Sequence, residues 1–92
     1  MKFESNKIYY TPVDPEHVQA EIVLAVKYLN STPIGDDCYC EVIRTNGNTY
    51  FAHFSAREIY ETRAEAEEEF KLNVRKLIKE YKMLAKNLEY YL

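Results

Sequence analysis

The chain has few of the residues from which common catalytic and cofactor motifs are built. Its 92 residues include two glycines, two cysteines, two histidines and no tryptophan. Because Gly35 and Gly47 are the only glycines, neither usual pattern of glycine-rich phosphate loop can be present. No apolar signal core follows Met1, and no run of about 18 apolar residues could span a membrane. We therefore expect a cytoplasmic, non-enzymatic protein that has no cofactor and no membrane partner.

The overall composition of the chain is typical of one folded domain. Hydrophobic residues make up 47% of the chain and charged residues 29%, which is the balance of a globular protein. We expect a single domain over residues 1–92, and a domain of this length buries only roughly 60 to 65% of its unfolded surface. Association with a second chain would add to that modest burial. The net charge of −3 disfavours nucleic acid as a partner, because phosphate backbones are bound by basic surfaces.

The first third of the sequence predicts a strand, a helix and a loop. The residues Lys2–Tyr10 are typical of a short strand with a turn before it. Asp14 then has the position of a helix N-cap and Pro15 that of the first helical residue. Turn-forming residues predict a loop at Thr32–Asp37. Between them, apolar side chains recur at helical spacing up to about Asn30 and predict a core helix that is apolar almost all round. The residues of that helical stripe are Val18, Ile22, Val26 and Leu29.

A β-hairpin is predicted in the middle of the chain. Two strand-like runs, Cys38–Thr45 and Asn48–Phe54, flank the dipeptide Asn46-Gly47. This dipeptide favours a two-residue type I′ turn, which needs positive φ at both positions. In that register Cys40 lies opposite His53. Both faces of the hairpin are then substantially apolar. This predicts either that helices cover both faces or that a partner binds one of them.

The last third predicts a long amphipathic helix. A third short strand is expected at Arg57–Glu61, and Thr62 with Glu65 then forms a capping box. No glycine or proline follows Gly47, so the helix is predicted to cover residues 63–92. Such a helix is about 42 Å long and projects beyond a compact domain. The predicted fold class is α+β, with elements in the order β-α-β-β-β-α and a small antiparallel sheet of three to four strands.

One face of this helix carries apolar residues spaced alternately by four and three. The pattern is a heptad seam of about three repeats, which is typical of helices that pair. We expect a homodimer through this seam, or binding of another protein. The alternative is that the helix bends near Asn87 or lies across the sheet, so that the domain covers its own seam. The predicted interface residues are Phe70, Val74, Leu77, Tyr81, Leu84, Leu88, Tyr91 and Leu92.

Charge is segregated along the same helix. Glutamates precede Phe70, and basic residues follow it from Lys71 to Lys86. This arrangement complements the helix dipole. An alternative function is a nucleic-acid-binding accessory protein that uses the basic stripe. Aromatic side chains on the predicted sheet could serve the same purpose, but only Arg44 and Arg57 accompany them, which favours a core or a protein interface. The aromatic residues are Tyr9, Tyr10, Tyr39, Tyr50, Phe51 and Phe54.

Cys38, Cys40 and His53 are the candidate metal ligands. The predicted register brings them together, but zinc takes four protein ligands or three and a water. The other histidine, His17, is distant in sequence. Cysteine is commonly buried as a small apolar residue. We therefore expect a sheet core with a hydrogen-bonded His53 and no metal, and keep a small zinc- or thiol-dependent enzyme as a second alternative.

Two parts of the pattern resemble known families. The order helix, three strands, helix resembles the double-stranded RNA-binding domain, and Glu58–Glu67 resembles the last strand and helix start of phage integrase arm domains. Both families bind nucleic acid through basic residues, whereas this chain has Glu67, Glu68 and Glu69 at the helix start. The same ending is similar to small bacteriophage accessory proteins. That resemblance implies a protein-binding module that inhibits or modulates a host protein, such as a host defence protein, in the host cytoplasm.

Overall fold

A computed structural model of the chain describes residues 3–18, 20–32 and 35–92. Within them, four antiparallel strands form one sheet in the order β1-β2-β3-β4, and one long helix follows. The predicted α+β class, the sheet and the C-terminal helix are confirmed, although the helix ends at Glu89 and not at residue 92. No helix in the described ranges is both long and apolar enough to cross a membrane. The elements are β1 (Ile8–Pro12), β2 (Val23–Ser31), β3 (Asp37–Ile43), β4 (Thr49–Ser55) and α1 (Arg63–Glu89).

The helix predicted between Asp14 and Asn30 is not formed in the described residues of that segment, and the prediction was wrong. Asp14 caps only a single 3₁₀ turn, Pro15–His17, by accepting a hydrogen bond of 3.0 Å from the backbone N–H two residues later. The second half of the segment is β2, which pairs with β1 on one side and β3 on the other. A central strand covered on both faces is apolar all round, as a buried helix is, so periodicity does not separate the two. The β-branched residues Val23 and Val26 suit the strand.

The hairpin of β3 and β4 is present, but its register differs from the predicted one. Only Gly47 of the turn dipeptide has positive φ, at 88°. The Asn46 side chain instead accepts a hydrogen bond of 3.0 Å from the Asn48 backbone N–H. Residues 44–48 therefore connect the strands, and Tyr39 pairs with His53. Because strand side chains alternate, this shift moves every side chain of one strand to the other face relative to its partner.

The third strand predicted at Arg57–Glu61 is also absent. Residues Ala56–Glu58 form a 3₁₀ turn, and a single bridge joins Tyr60 to Tyr10 through backbone hydrogen bonds of 2.7 and 2.8 Å. Because β4 and β1 are the two outer strands, the chain crosses one face of the sheet between them. Ile59, which is 2% exposed, fills the core during this crossing. The observed order is therefore β-β-β-β-α.

Two further predictions fall partly outside the described residues. The strand expected at Lys2–Tyr10 is β1, which follows a turn where Asn6 has φ of 68°. Lys2 itself lies outside the described residues. So do Pro33 and Ile34 of the loop expected at Thr32–Asp37. The remaining part of that loop includes Gly35, whose φ of 72° is in the left-handed region that glycine tolerates.

The main core lies between the sheet and the crossing segment. Tyr9, Val26 and Val42 sit side by side on β1, β2 and β3, and each is 0% exposed. The Phe3 ring covers this layer, with its centroid 5.2 Å from the rings of both Tyr9 and Tyr28. These contacts hold three strands to one another and fix one face of the sheet as interior.

The first half of α1 packs on the opposite face, over β1 and β2. The Arg63 guanidinium lies 5.3 Å from the centroid of the Tyr10 ring, and Tyr10 alternates along β1 with the core residue Tyr9. Ala66 of α1 and Val23 of β2 are both buried, and both lie outside the main core cluster. The sheet is thus covered on both faces at β1 and β2, whereas α1 makes no comparable contact with β3 or β4.

The N-terminus of α1 is capped by Thr62, as the sequence predicted. The Thr62 Oγ1 atom accepts a hydrogen bond of 3.2 Å from the Glu65 backbone N–H. It also donates one of 2.9 Å to the Glu65 carboxylate. The glutamate therefore reaches back to the hydroxyl of the cap, whereas a standard capping box uses the backbone N–H of that residue.

Candidate protein-interaction site

The apolar seam of α1 has two halves with different surroundings. Phe70, Val74 and Leu77 are partly buried where α1 lies over β1 and β2. Farther along, the Tyr81 hydroxyl donates a hydrogen bond of 3.0 Å to the Glu16 carboxylate, which raises the pKa of Tyr81. Every residue from Ile78 to the end of the chain is exposed. We call residues 78–92 the overhang.

The overhang gives the molecule an elongated shape. The helix α1 has 27 residues and is about 40 Å long. The radius of gyration is 16.2 Å, against about 12 Å for a compact chain of this length. The helix runs through Asn87 without a break, so it does not bend back at that residue. The domain therefore leaves the second half of its own seam uncovered.

Five of the eight predicted interface residues lie in the overhang. Leu84 is 52% exposed and Leu88 is 57% exposed, in a helix whose equivalent residues nearer the sheet are partly buried. A contiguous apolar surface of this kind marks interaction sites on soluble proteins. The sequence indicated the whole seam but could not show that its first three residues are used by the domain itself. The exposed five are Tyr81, Leu84, Leu88, Tyr91 and Leu92.

The basic side chains of α1 occupy a different face from the seam. Lys79, Lys82 and Lys86 are exposed, and helical spacing places them away from Leu84 and Leu88. A nucleic acid bound by these lysines would therefore leave the apolar seam free. The two surfaces can be tested by separate substitutions.

The three candidate metal ligands are not brought together. Cys38 and Cys40 are 1% and 0% exposed and belong to the core, whereas His53 is exposed and pairs with Tyr39 on the other face. The predicted pairing of Cys40 with His53 was therefore wrong. His53 Nδ1 instead lies 2.6 Å from the Asp37 carboxylate. In the described ranges, no three His, Cys, Asp or Glu side chains are grouped so as to hold a metal ion.

The two thiols are in surroundings that suppress their reactivity. Burial raises the pKa of Cys38, and burial raises the pKa of Cys40 to about 11. Thiolate is the nucleophilic form of cysteine, and a raised pKa leaves little of it near neutral pH. The arrangement suits a structural role for both thiols.

A second exposed patch lies at the β3–β4 end of the sheet, on the same face as α1 but beyond the two strands that α1 covers. The Tyr39 ring stacks on Phe51 with centroids 5.7 Å apart, and it contacts the His53 ring at 4.8 Å. Phe51 is 58% exposed. The sequence signal for this patch was the apolar character of both hairpin faces. Of the other aromatic residues grouped by the sequence, Tyr9 is buried and Tyr50 and Phe54 lie on the core face.

The comparisons with known proteins add no family. The chain matches no protein-family model, and it has no match among curated proteins or solved structures. The resemblances noted in the sequence therefore stay predictions. The function has to be argued from the surfaces described above.

Proposed function

We propose that this protein is a non-enzymatic protein-binding module that assembles as a homodimer through the overhang of α1. The observation that carries the proposal is the continuity of the seam. The same stripe is partly buried at Phe70, Val74 and Leu77 and open to solvent at Leu84 and Leu88. A second helix laid on the overhang would cover it as the sheet covers the first half.

The exposed area is sufficient for a dimer of modest affinity. Full burial of a large apolar side chain contributes about 1.5–3 kcal/mol, so residues that are half exposed gain about 1 kcal/mol each. Four to six such residues from each copy give roughly 8–12 kcal/mol, against an association cost of at least about 4 kcal/mol. At that lowest cost the dissociation constant lies between about 1 mM and 1 µM, and a higher cost makes the dimer weaker. The dimer is therefore concentration-dependent.

A second copy fits the seam because the seam is self-complementary. Leu84 and Leu88 are consecutive seam positions, and they can pack against the same two leucines of an identical helix as knobs into holes. The association also compensates for the small interior of a short chain, since bound partners stabilise the folded state.

The partner of the dimer is proposed to be a host protein. The helix start at Thr62–Ala66 is similar to that of small phage accessory proteins, and the exposed patch around Tyr39 and Phe51 remains available in the dimer. On this proposal the protein inhibits or modulates a host defence protein in the host cytoplasm. Its expression should restore growth of a restricted phage in cells that carry a matching defence system. Failure across a broad panel of such systems would contradict this part of the proposal.

The test of assembly compares two neighbouring substitutions on opposite faces of the overhang. Light scattering behind a sizing column should give wild-type protein a mass that rises above the 10.9 kDa of one chain as concentration increases to several hundred micromolar. Leu88→Glu should remain at the mass of one chain. Met83→Glu is the matched control, because Met83 is 59% exposed but lies away from the seam. Circular dichroism should show that both variants are folded.

Two results would overturn the assembly proposal. One is a wild-type mass of 10.9 kDa at every concentration. The other is equal weakening by Leu88→Glu and Met83→Glu, because an interface on the seam cannot respond equally to both faces.

A further inference from the structure

We propose that the two helices of the dimer run antiparallel, with residues 81–91 of one copy beside residues 91–81 of the other. This inference rests on the proposed function and adds the geometry of the partner. In this arrangement Tyr81 lies level with Tyr91 of the second copy, and Leu84 lies level with Leu88. Each helical seam residue of the overhang then meets the seam of the second copy, and Tyr91 belongs to the turn that follows α1.

The position of the sheet argues against parallel pairing. The sheet lies on the seam side of α1, because Phe70, Val74 and Leu77 pack towards β1 and β2. In a parallel pair in register, the helix of the second copy would continue along the seam at the level of Phe70. That space is already filled by β1 and β2. In the antiparallel pair the second helix lies beside the overhang alone, and its own sheet begins beyond the far end.

The flanks of the seam also favour the antiparallel pair. Ile78 and Ala85 line one flank of α1 at an interval of seven, whereas Glu80 and Asn87 line the other. Antiparallel helices bring like flanks together, and parallel helices bring unlike flanks together. The antiparallel pair therefore sets Ala85 against Ala85 of the second copy beside the two-fold axis. A parallel pair would set this apolar flank against the polar one.

The antiparallel arrangement determines where the two Tyr39–Phe51 patches lie in the dimer. The two sheets lie at opposite ends of the paired helices, and their Tyr39–Phe51 patches are held apart. A dimer of this shape presents two identical surfaces to separate partner molecules, or to two sites on one partner. Simultaneous binding of both surfaces raises the overall affinity, although each surface makes the same contacts as it would alone.

The test measures the distance between spin labels attached to the same residue of the two copies. The label is placed at Lys71→Cys, where the lysine side chain is 55% exposed and far from the proposed contact. The native Cys38 and Cys40 are buried with raised pKa values, so they stay unlabelled in the folded protein, which mass spectrometry checks. At 1.5 Å per residue, the antiparallel pair separates the two labels by about 45 Å, and a parallel pair separates them by about 20 Å or less.

Each outcome decides between the arrangements. A distance near 45 Å that disappears when Leu88→Glu is added supports the antiparallel dimer. A distance of about 20 Å overturns the antiparallel geometry and leaves the dimer itself standing. No dipolar signal together with the mass of one chain by light scattering overturns the geometry and the homodimer together. Ala85→Cys provides an independent check, because oxidation should link the antiparallel dimer covalently at the two-fold axis.

Discussion

A single carboxylate at Val26 should unfold the domain. Val26 lies in the central strand β2, is 0% exposed, and has the buried residues Tyr9 and Val42 as its neighbours on β1 and β3. The side chain is therefore surrounded by apolar groups from three strands. Because Val26 is 0% exposed, bulk solvent does not reach this position to solvate a carboxylate.

The size of the effect follows from two losses. Val26→Asp removes the burial of a valine, which contributes about 1.5–2 kcal/mol. It also places an unpaired carboxyl in the core, at a cost of several kcal/mol whether it remains charged or takes up a proton. The total is about 5 kcal/mol or more, and a domain of this length has an unfolding free energy of roughly 5–14 kcal/mol. The variant should lose about 5 kcal/mol or more of stability, which is enough to unfold a domain at the low end of that range, where short chains lie.

The assay is urea denaturation followed by circular dichroism, with two companion variants. Val26→Ala should be destabilised by about 2 kcal/mol, because it removes buried methyl groups without adding a polar one. Lys27→Ala is the control on the same strand. It breaks the ion pair of 3.6 Å with Glu41, which is partly exposed, and pairs of that kind contribute about 0–1 kcal/mol. A Val26→Asp variant with the wild-type unfolding midpoint would refute the placement of Val26 in the core.

Two further predictions concern the cap of α1 and the buried thiols. Thr62→Ala should lower the free energy of unfolding by about 1 kcal/mol in urea denaturation, because the Glu65 backbone N–H loses its acceptor; an unchanged midpoint would show that the cap contributes nothing. Cys38 and Cys40 should react with an aromatic disulfide reagent only as fast as the domain opens, and rapid reaction of the native protein would contradict their burial. Because folding raises the pKa of Cys40 from 9.0 to about 11, the folded state holds this proton more tightly than the unfolded state. Stability should therefore fall as pH rises through that interval, and a Cys40→Ser variant should show less of this decline.

The features that the sequence predicted correctly are those set by neighbouring residues. The cap at Thr62 depends on a hydrogen bond to a residue three positions away. The helix α1 depends on a long run without glycine or proline and on helical spacing of its apolar residues. The hairpin depends on Gly47, which takes positive φ in the turn between β3 and β4. Each of these signals is complete within a short stretch of chain.

The features that the sequence predicted wrongly depend on distant partners. The segment of β2 is apolar on both faces because the core covers one face and α1 covers the other. Its sequence alone is equally compatible with a buried helix. The register of the hairpin appears only in the pairing of the two strands, where Tyr39 and not Cys40 lies opposite His53. That small shift separated His53 from Cys38 and Cys40 and removed the candidate metal site.

The candidate interaction site shows the same division between local and tertiary control. The amino-acid sequence by itself determined the seam, its spacing and the helix that carries it, because helical periodicity is a local property. It did not determine which part of the seam is free. That was decided by where the sheet ends along α1, since β1 and β2 cover the stripe only as far as Leu77. The exposure of a residue is a property of the packed molecule, and only the tertiary structure specifies it.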